Sequence, residues 1–182
     1  ILASVQAQNN PSPIIGTNLT RGENLRVLRL AVSTTGEYTQ ATGGVEAVKA
    51  QIATWLPQIN ETYGREYCVR FELIPNNDQL IFPNAATDSW PTLPAGAIGC
   101  TGIRGILNSQ AAVIDGIIGA ANYDFSHVIA GGVIGGCAGN FKGGLSGGFD
   151  IGVTRHEMGH QFQQPHTISN TGPTNYEAQS NG

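Results

Sequence analysis

Three of the four histidines in this chain fall within eleven residues, in the run His156-Glu157-Met158-Gly159-His160-Gln161-Phe162-Gln163-Gln164-Pro165-His166. Imidazole nitrogens are zinc ligands, and three of them leave the fourth tetrahedral position open for water, the arrangement of a catalytic rather than a closed structural site. A bound zinc lowers the pKa of that water. The carboxylate of Glu157 is then placed to take its proton as general base and pass it to a leaving amine. The candidate ligands are His156, His160 and His166, and the candidate catalytic residue is Glu157.

This chemistry dictates the elements around it. Residues four apart on a helix lie about 40° apart around its axis and about 6 Å apart along it, so His156 and His160 can share one ion only on a helix. On the same wheel Ile151, Met158 and Phe162 gather opposite the imidazoles, which predicts an apolar stripe in the core and a metal face towards a cleft. His166 would lie about 15 Å up an unbroken helix, so the helix must stop first. Pro165 is the expected stop, because it disfavours the α conformation at Gln164 and has no N–H to continue the helix.

Upstream, residues 25–33 form a short apolar run that predicts a buried strand, and residues 123–130 predict another. Tyr67, Val69, Phe71 and Leu73 alternate, which predicts a strand over 67–74. Val45, Val48, Ile52, Trp55, Leu56 and Ile59 recur at helical spacing, in a helix that Pro57 should kink or shorten. Ile106, Leu107, Ala111, Ile114, Ile117 and Ile118 mark a second amphipathic helix. Residues 76–102 read as loop, and residues 131–148 are dominated by glycine. Strands alternating with two long helices ahead of the metal helix predict an α/β (α+β) fold, a three-layer α/β/α arrangement with a mixed sheet.

Composition sets outer bounds. The chain has 182 residues, 40% of them hydrophobic, enough for one domain with a proper core. Nine basic and thirteen acidic residues give a net charge of −4, and no basic run offers a surface for nucleic acid or an anionic membrane. No apolar stretch approaches the ~18 residues of a membrane span. Residues 1–22, polar and rich in Pro and Asn, read as a linker or the tail of a pro-segment, with a single domain over 23–182. A start at Ile1 without a signal-peptide pattern reads as a processed product.

The histidine run resembles the metzincin clan of metallopeptidases, whose motif is H-E-x-x-H-x-x-G-x-x-H followed by a turn containing methionine. Residues 28–40 (LRLAVSTTGEYTQ), 67–88 (through IPNNDQLIFPNAATD), 122–132 (NYDFSHVIAGG) and 153–167 are similar to the secreted bacterial reprolysin-like metallopeptidases. The resemblance implies a zincin-like fold with a zinc-binding active-site helix, one catalytic zinc, protein or peptide substrates and a secreted location. Calcium is common among such relatives, but no dense carboxylate loop here calls for it. Composition alone reads the glycine-rich run as a flexible surface loop. The resemblance instead makes residues 133–138 (VIGGCA) the edge strand above the cleft, where the backbone of Val133, Ile134, Gly135 and Gly136 would pair with an extended substrate.

Two departures stand out. Gln163 occupies the family's glycine position, at which a turn with positive φ would cost a side chain roughly 1 kcal/mol. Met158, the one methionine, lies inside the helix, and sixteen residues follow His166 without a methionine turn. The expectation is a truncated or nicked chain completed by a C-terminal fragment. Cys68, Cys100 and Cys137 are odd in number. The resemblance implies that Cys137 awaits a partner in the C-terminal part and leaves Cys68–Cys100 as the internal pair; three buried thiols are the equal alternative.

Other candidates are weaker. His127 shares strand phase with Tyr123, Phe125 and Ile129 and reads as a buried, hydrogen-bonded histidine rather than a ligand. Glu177 would be a third ligand only in a different zinc-peptidase clan, and Tyr176 is a candidate for stabilising an oxyanion. Asn18-Leu19-Thr20 and Asn60-Glu61-Thr62 fit a glycosylation pattern that also recurs by chance. The rival to a zinc endopeptidase is a non-catalytic zinc-containing binding domain, or an inactive processed fragment.

Overall fold

The computed structural model describes residues 24–94 and 96–166. The chain runs β1 (Arg26–Thr34), α1 (Gly36–Thr42), α2 (Val45–Tyr67), β2 (Val69–Leu73), a 3-10 turn (Asn77–Leu80), β3 (Ala97–Ile98), α3 (Gly99–Ile118), a second 3-10 turn (Ala120–Asn122), β4 (Phe125–Ile129), β5 (Val133–Ile134), β6 (Gly136–Asn140), β7 (Gly143–Ser146) and α4 (Ile151–Gln161). Five strands make one sheet in the order β2-β1-β4-β7-β6. Its pairs are parallel except for β6, which runs antiparallel to β7 at one edge. Beside it β3 and β5 form a separate two-stranded parallel ladder.

The sheet separates two cores, because successive strand side chains point to opposite faces. From β1, Leu30 and Val32 join Phe71, Phe125, the inner face of α2 and Met158 of α4. Ala31 packs with Val128, Leu145 and Cys137 against Ile103, Ile106, Ile114 and Ile118 of α3. The result is three layers, with α2 and α4 on one face, the mixed sheet in the middle and α3 on the other. That is the expected α/β/α architecture.

Some expectations need correction. The first long helix is not shortened at Pro57 but continues to Tyr67. Ala53, whose carbonyl loses its helical partner there, lies like Pro57 on the exposed face, where water can replace the missing N–H. Tyr67 ends this helix instead of opening the strand, and its ring stacks on Tyr63. The supposed loop over 76–102 contains the first 3-10 turn, β3 and the first turn of α3. Helix propensity is poor at Gly99 and Gly102, yet a Cβ on Gly102 would meet Ala97 at 3.3 Å, so close packing overrides propensity. The glycine-rich run is not loop but β5, β6 and β7.

The cysteine pairing also differs: the disulfide joins Cys100 to Cys137. Cys100 opens α3, which packs across β6, and Cys137 lies on β6. Cys68 ends α2, before β2, at the opposite edge of the sheet.

The exposed edge of β2 is managed by a side chain. Asn60 of α2 donates to the Phe71 carbonyl and accepts from the Phe71 N–H, at 2.9 and 2.7 Å, imitating a further strand. This engagement occupies the amide that the Asn60 glycosylation pattern would require; Asn18 lies outside the described residues. No helix among them is long and apolar enough to cross a membrane.

Candidate metal centre and active site

Helix α4 is held from both ends. At its start the Asp150 carboxylate accepts from the Val153 N–H at 2.9 Å, an N-cap. Along its buried side Trp55 Nε1 donates to Thr154 Oγ1 at 2.9 Å, and the Tyr63 hydroxyl donates to the Arg155 carbonyl at 2.8 Å. Met158 is fully buried, with Ile151 and Phe162 packed at the margin of the same core. The rings of Tyr63, Tyr67, Phe125 and Phe141 surround Phe162 at centroid distances of 5.1 to 5.7 Å.

The helix ends at Gln161, earlier than a stop enforced by Pro165. Gln163 adopts φ 65°, the left-handed conformation that its glycine-like position suggested. Its N–H donates to the His160 carbonyl at 2.8 Å, and the Gln164 N–H reaches back to the Gly159 carbonyl at 3.2 Å. These two bonds make a Schellman turn, so the reversal comes from Gln163 and Pro165 follows it.

The turn brings the three imidazoles together. His160 Nε2 lies 3.0 Å from both His156 Nε2 and His166 Nε2, and the remaining side of the triangle is 3.3 Å. His160 Nδ1 donates to the Gln164 carbonyl at 2.6 Å, so in the neutral ring Nε2 carries the lone pair. Nitrogens about 2.0–2.1 Å from a tetrahedral ion stand about 3.3 Å apart, so this donor set fits zinc in number, chemistry and size. Among the described residues these histidines form a cluster able to hold a metal. Burial, followed by the neighbouring His160 and His166, lowers the pKa of His156 and favours the neutral form that a metal requires.

Glu157 is 7% exposed, and burial pushes its carboxyl pKa up to about 7. It lies against the edge strand: a Cβ on Gly136 would come within 2.5 Å of Glu157 Cγ and of the Leu145 carbonyl oxygen. A carboxyl that exchanges its proton near neutrality, one residue from a ligand, suits general acid–base work.

The edge strand expected over residues 133–138 is divided in two. Val133 and Ile134 pair with Ala97 and Ile98 in the small ladder. Gly135 turns at φ 78°, its carbonyl bonded to the Gly147 N–H at 2.9 Å. The edge strand of the main sheet begins only at Gly136, which is therefore the one of the four residues placed on it. Tyr176 and Glu177 lie outside the described residues.

The match with family models decides what such a site belongs to: the model described as metallo-peptidase family M12B, reprolysin-like, matches residues 24–182. The chain belongs to this family of metallopeptidases. A comparison with curated proteins finds no match.

In this reprolysin-like domain His127 is fully buried, away from the imidazole triangle in its bonding. Its Nδ1–H donates to Gln161 Oε1 and its Nε2 accepts from the Ser146 hydroxyl, both at 2.8 Å. Gln161 spends its amide on the carbonyls of Ser126, Asn140 and Phe141. Nothing in the spacing of a lone glutamine marks this role of Gln161 in the sequence. A groove of about 1240 Å³ lined by Leu56, Phe71 and Ile74 lies at the opposite edge of the sheet, between α2 and β2. None of the three imidazoles borders it, so the donor geometry, not cavity size, locates the chemistry.

Proposed function

We propose that the chain is a zinc-dependent endopeptidase that hydrolyses peptide bonds of proteins in an extracellular setting. The triangle of Nε2 atoms, with Glu157 next in the chain to one of its histidines and buried against Gly136, carries this reading. Held by His156, His160 and His166, zinc supplies Lewis acidity towards a peptide carbonyl and lowers the pKa of water. The chain's own residues do the rest. Glu157 takes a proton from the attacking water at its carboxylate and returns it to the leaving amine. Burial favours this, holding its pKa near the working pH. The outer edge of β6 near Gly136 would offer N–H and C=O groups to an extended peptide, and Gly136 lets the backbone approach Glu157 without an intervening side chain. The Cys100–Cys137 disulfide favours secretion.

The experiment is proteolysis of an unfolded protein such as casein with and without chelator, alongside Glu157→Gln. Cleavage by the zinc-loaded chain should vanish with chelator and fall at least about 100-fold in Glu157→Gln, which should still bind one zinc. Full activity in that variant would remove the role of Glu157. A wild type that binds zinc but cleaves nothing would favour a non-catalytic zinc domain.

A further inference from the structure

We propose that Gln163 is a positioning residue for the metal centre, its side-chain amide tying the turn that delivers His166 to the edge strand of the cleft. The inference rests on the zinc-site reading above. The ladder between β6 and β7 shifts register between Ala138 and Asn140, and Gly139 is left without a cross-strand partner on β7. Such a bulge leaves its extra residue unpaired in the ladder. Gln163 Nε2 donates to the Gly139 carbonyl at 3.2 Å.

That bond is placed where it can act on the ligands. Gln164, whose carbonyl fixes the His160 ring by accepting from Nδ1, is the next residue, and His166 follows two further on. The strand at the other end of the tether is the one whose Gly136 lies against Glu157. The tether therefore couples two ligands and the general base to one edge strand. Glycine would relieve the left-handed backbone at position 163 but carries no amide. The turn would then be free to swing with His166, and the orienting carbonyl of Gln164 would move with it. Gln161 grips the next two carbonyls, of Asn140 and Phe141, from the buried side, so Gln163 completes a continuous hold on this end of β6.

A positioning role separates metal affinity from fold stability, and the test uses that. Zinc dissociation constants of the full chain are measured by competition with a chromophoric chelator for wild type, Gln163→Gly and Gln163→Asn. Asparagine tolerates positive φ but is one methylene too short for Gly139. Cobalt(II) absorption reports ligand geometry, and a denaturant midpoint of each metal-free chain reports folding. Both variants should bind zinc about 10- to 100-fold more weakly, with an altered cobalt spectrum, as loss of a group that orients ligands does. The midpoint of metal-free Gln163→Gly should match or exceed that of wild type. Either variant holding zinc within about twofold of wild type would overturn the tether while leaving the metal site standing. Failure of the wild type to bind one zinc per chain would remove both.

Discussion

Gly136 and Glu157 share one volume: the space that a side chain on the strand would fill is taken by the methylene and carboxyl carbons of the glutamate, 2.5 and 2.9 Å from an added Cβ. The Leu145 carbonyl blocks retreat on the other side at 2.5 Å. Gly136→Ala must therefore displace Glu157 or the strand, at an overpacking cost of about 1–3 kcal/mol. Turnover of a chromogenic peptide should fall at least tenfold while zinc stoichiometry is kept. Wild-type turnover in this variant would show that the contact does not set the position of Glu157.

The disulfide pins the edge strand to α3 across 37 residues. Closing a loop of that length restricts the unfolded chain by about 4 kcal/mol. Cys100→Ser with Cys137→Ser should lower the unfolding free energy by roughly this amount and raise KM more than it lowers kcat, since β6 is the expected substrate strand. In the denatured protein Cys100 and Cys137 should react with a thiol reagent only after reduction. Labelling of either without reductant would contradict their pairing.

The parts of this site that were legible before the structure are those written as local spacing. His156 and His160 sit one turn apart on a single helix, and the apolar run of β1 needs no partner to be seen. The pairing of Cys100 with Cys137 was not legible, because it depends on β6 doubling back beside β7 so that α3 can reach it. For the same reason residues 133–138 looked like one strand: the positive φ of Gly135, which hands the chain from the small ladder to the main sheet, leaves no trace in an alternation of small residues. The grip of Gln161 and Gln163 on β6 joins residues about twenty positions apart through side-chain amides, a relationship without period.

Gln161 should prove the more costly of those two glutamines. It is fully buried and satisfies the carbonyls of Ser126, Asn140 and Phe141 together with His127 Nδ1. Gln161→Leu keeps the bulk but strands a buried donor and several acceptors, each worth about 1–3 kcal/mol when unsatisfied. A loss of roughly 3–5 kcal/mol is expected by urea denaturation. A loss under about 1 kcal/mol would mean that water replaces the amide.

Two buried groups give the metal-free protein opposing responses to pH. Burial depresses the pKa of His127 to about 4, against an ordinary value of 6.5. Between these values the unfolded chain binds a proton that the folded chain does not, so His127 contributes stability above pH 6.5 that is lost as pH falls towards 4. Glu157 has the opposite sign. Its pKa is raised from 4.5 to about 7, so its contribution is complete below pH 4.5 and is lost as pH rises through 7. Each amounts to roughly 3 kcal/mol at 1.36 kcal/mol per unit, and over the shared window they largely cancel. Glu157→Gln removes one of the pair. Measured as urea midpoints at pH 6.5 and 4.5, the variant should lose about 2–3 kcal/mol more on acidification than the metal-free wild type does. Other carboxylates act equally on both proteins and drop out of the difference. Parallel acid profiles would show that Glu157 is solvated in the metal-free chain, and that its proton affinity is not set by burial against Gly136.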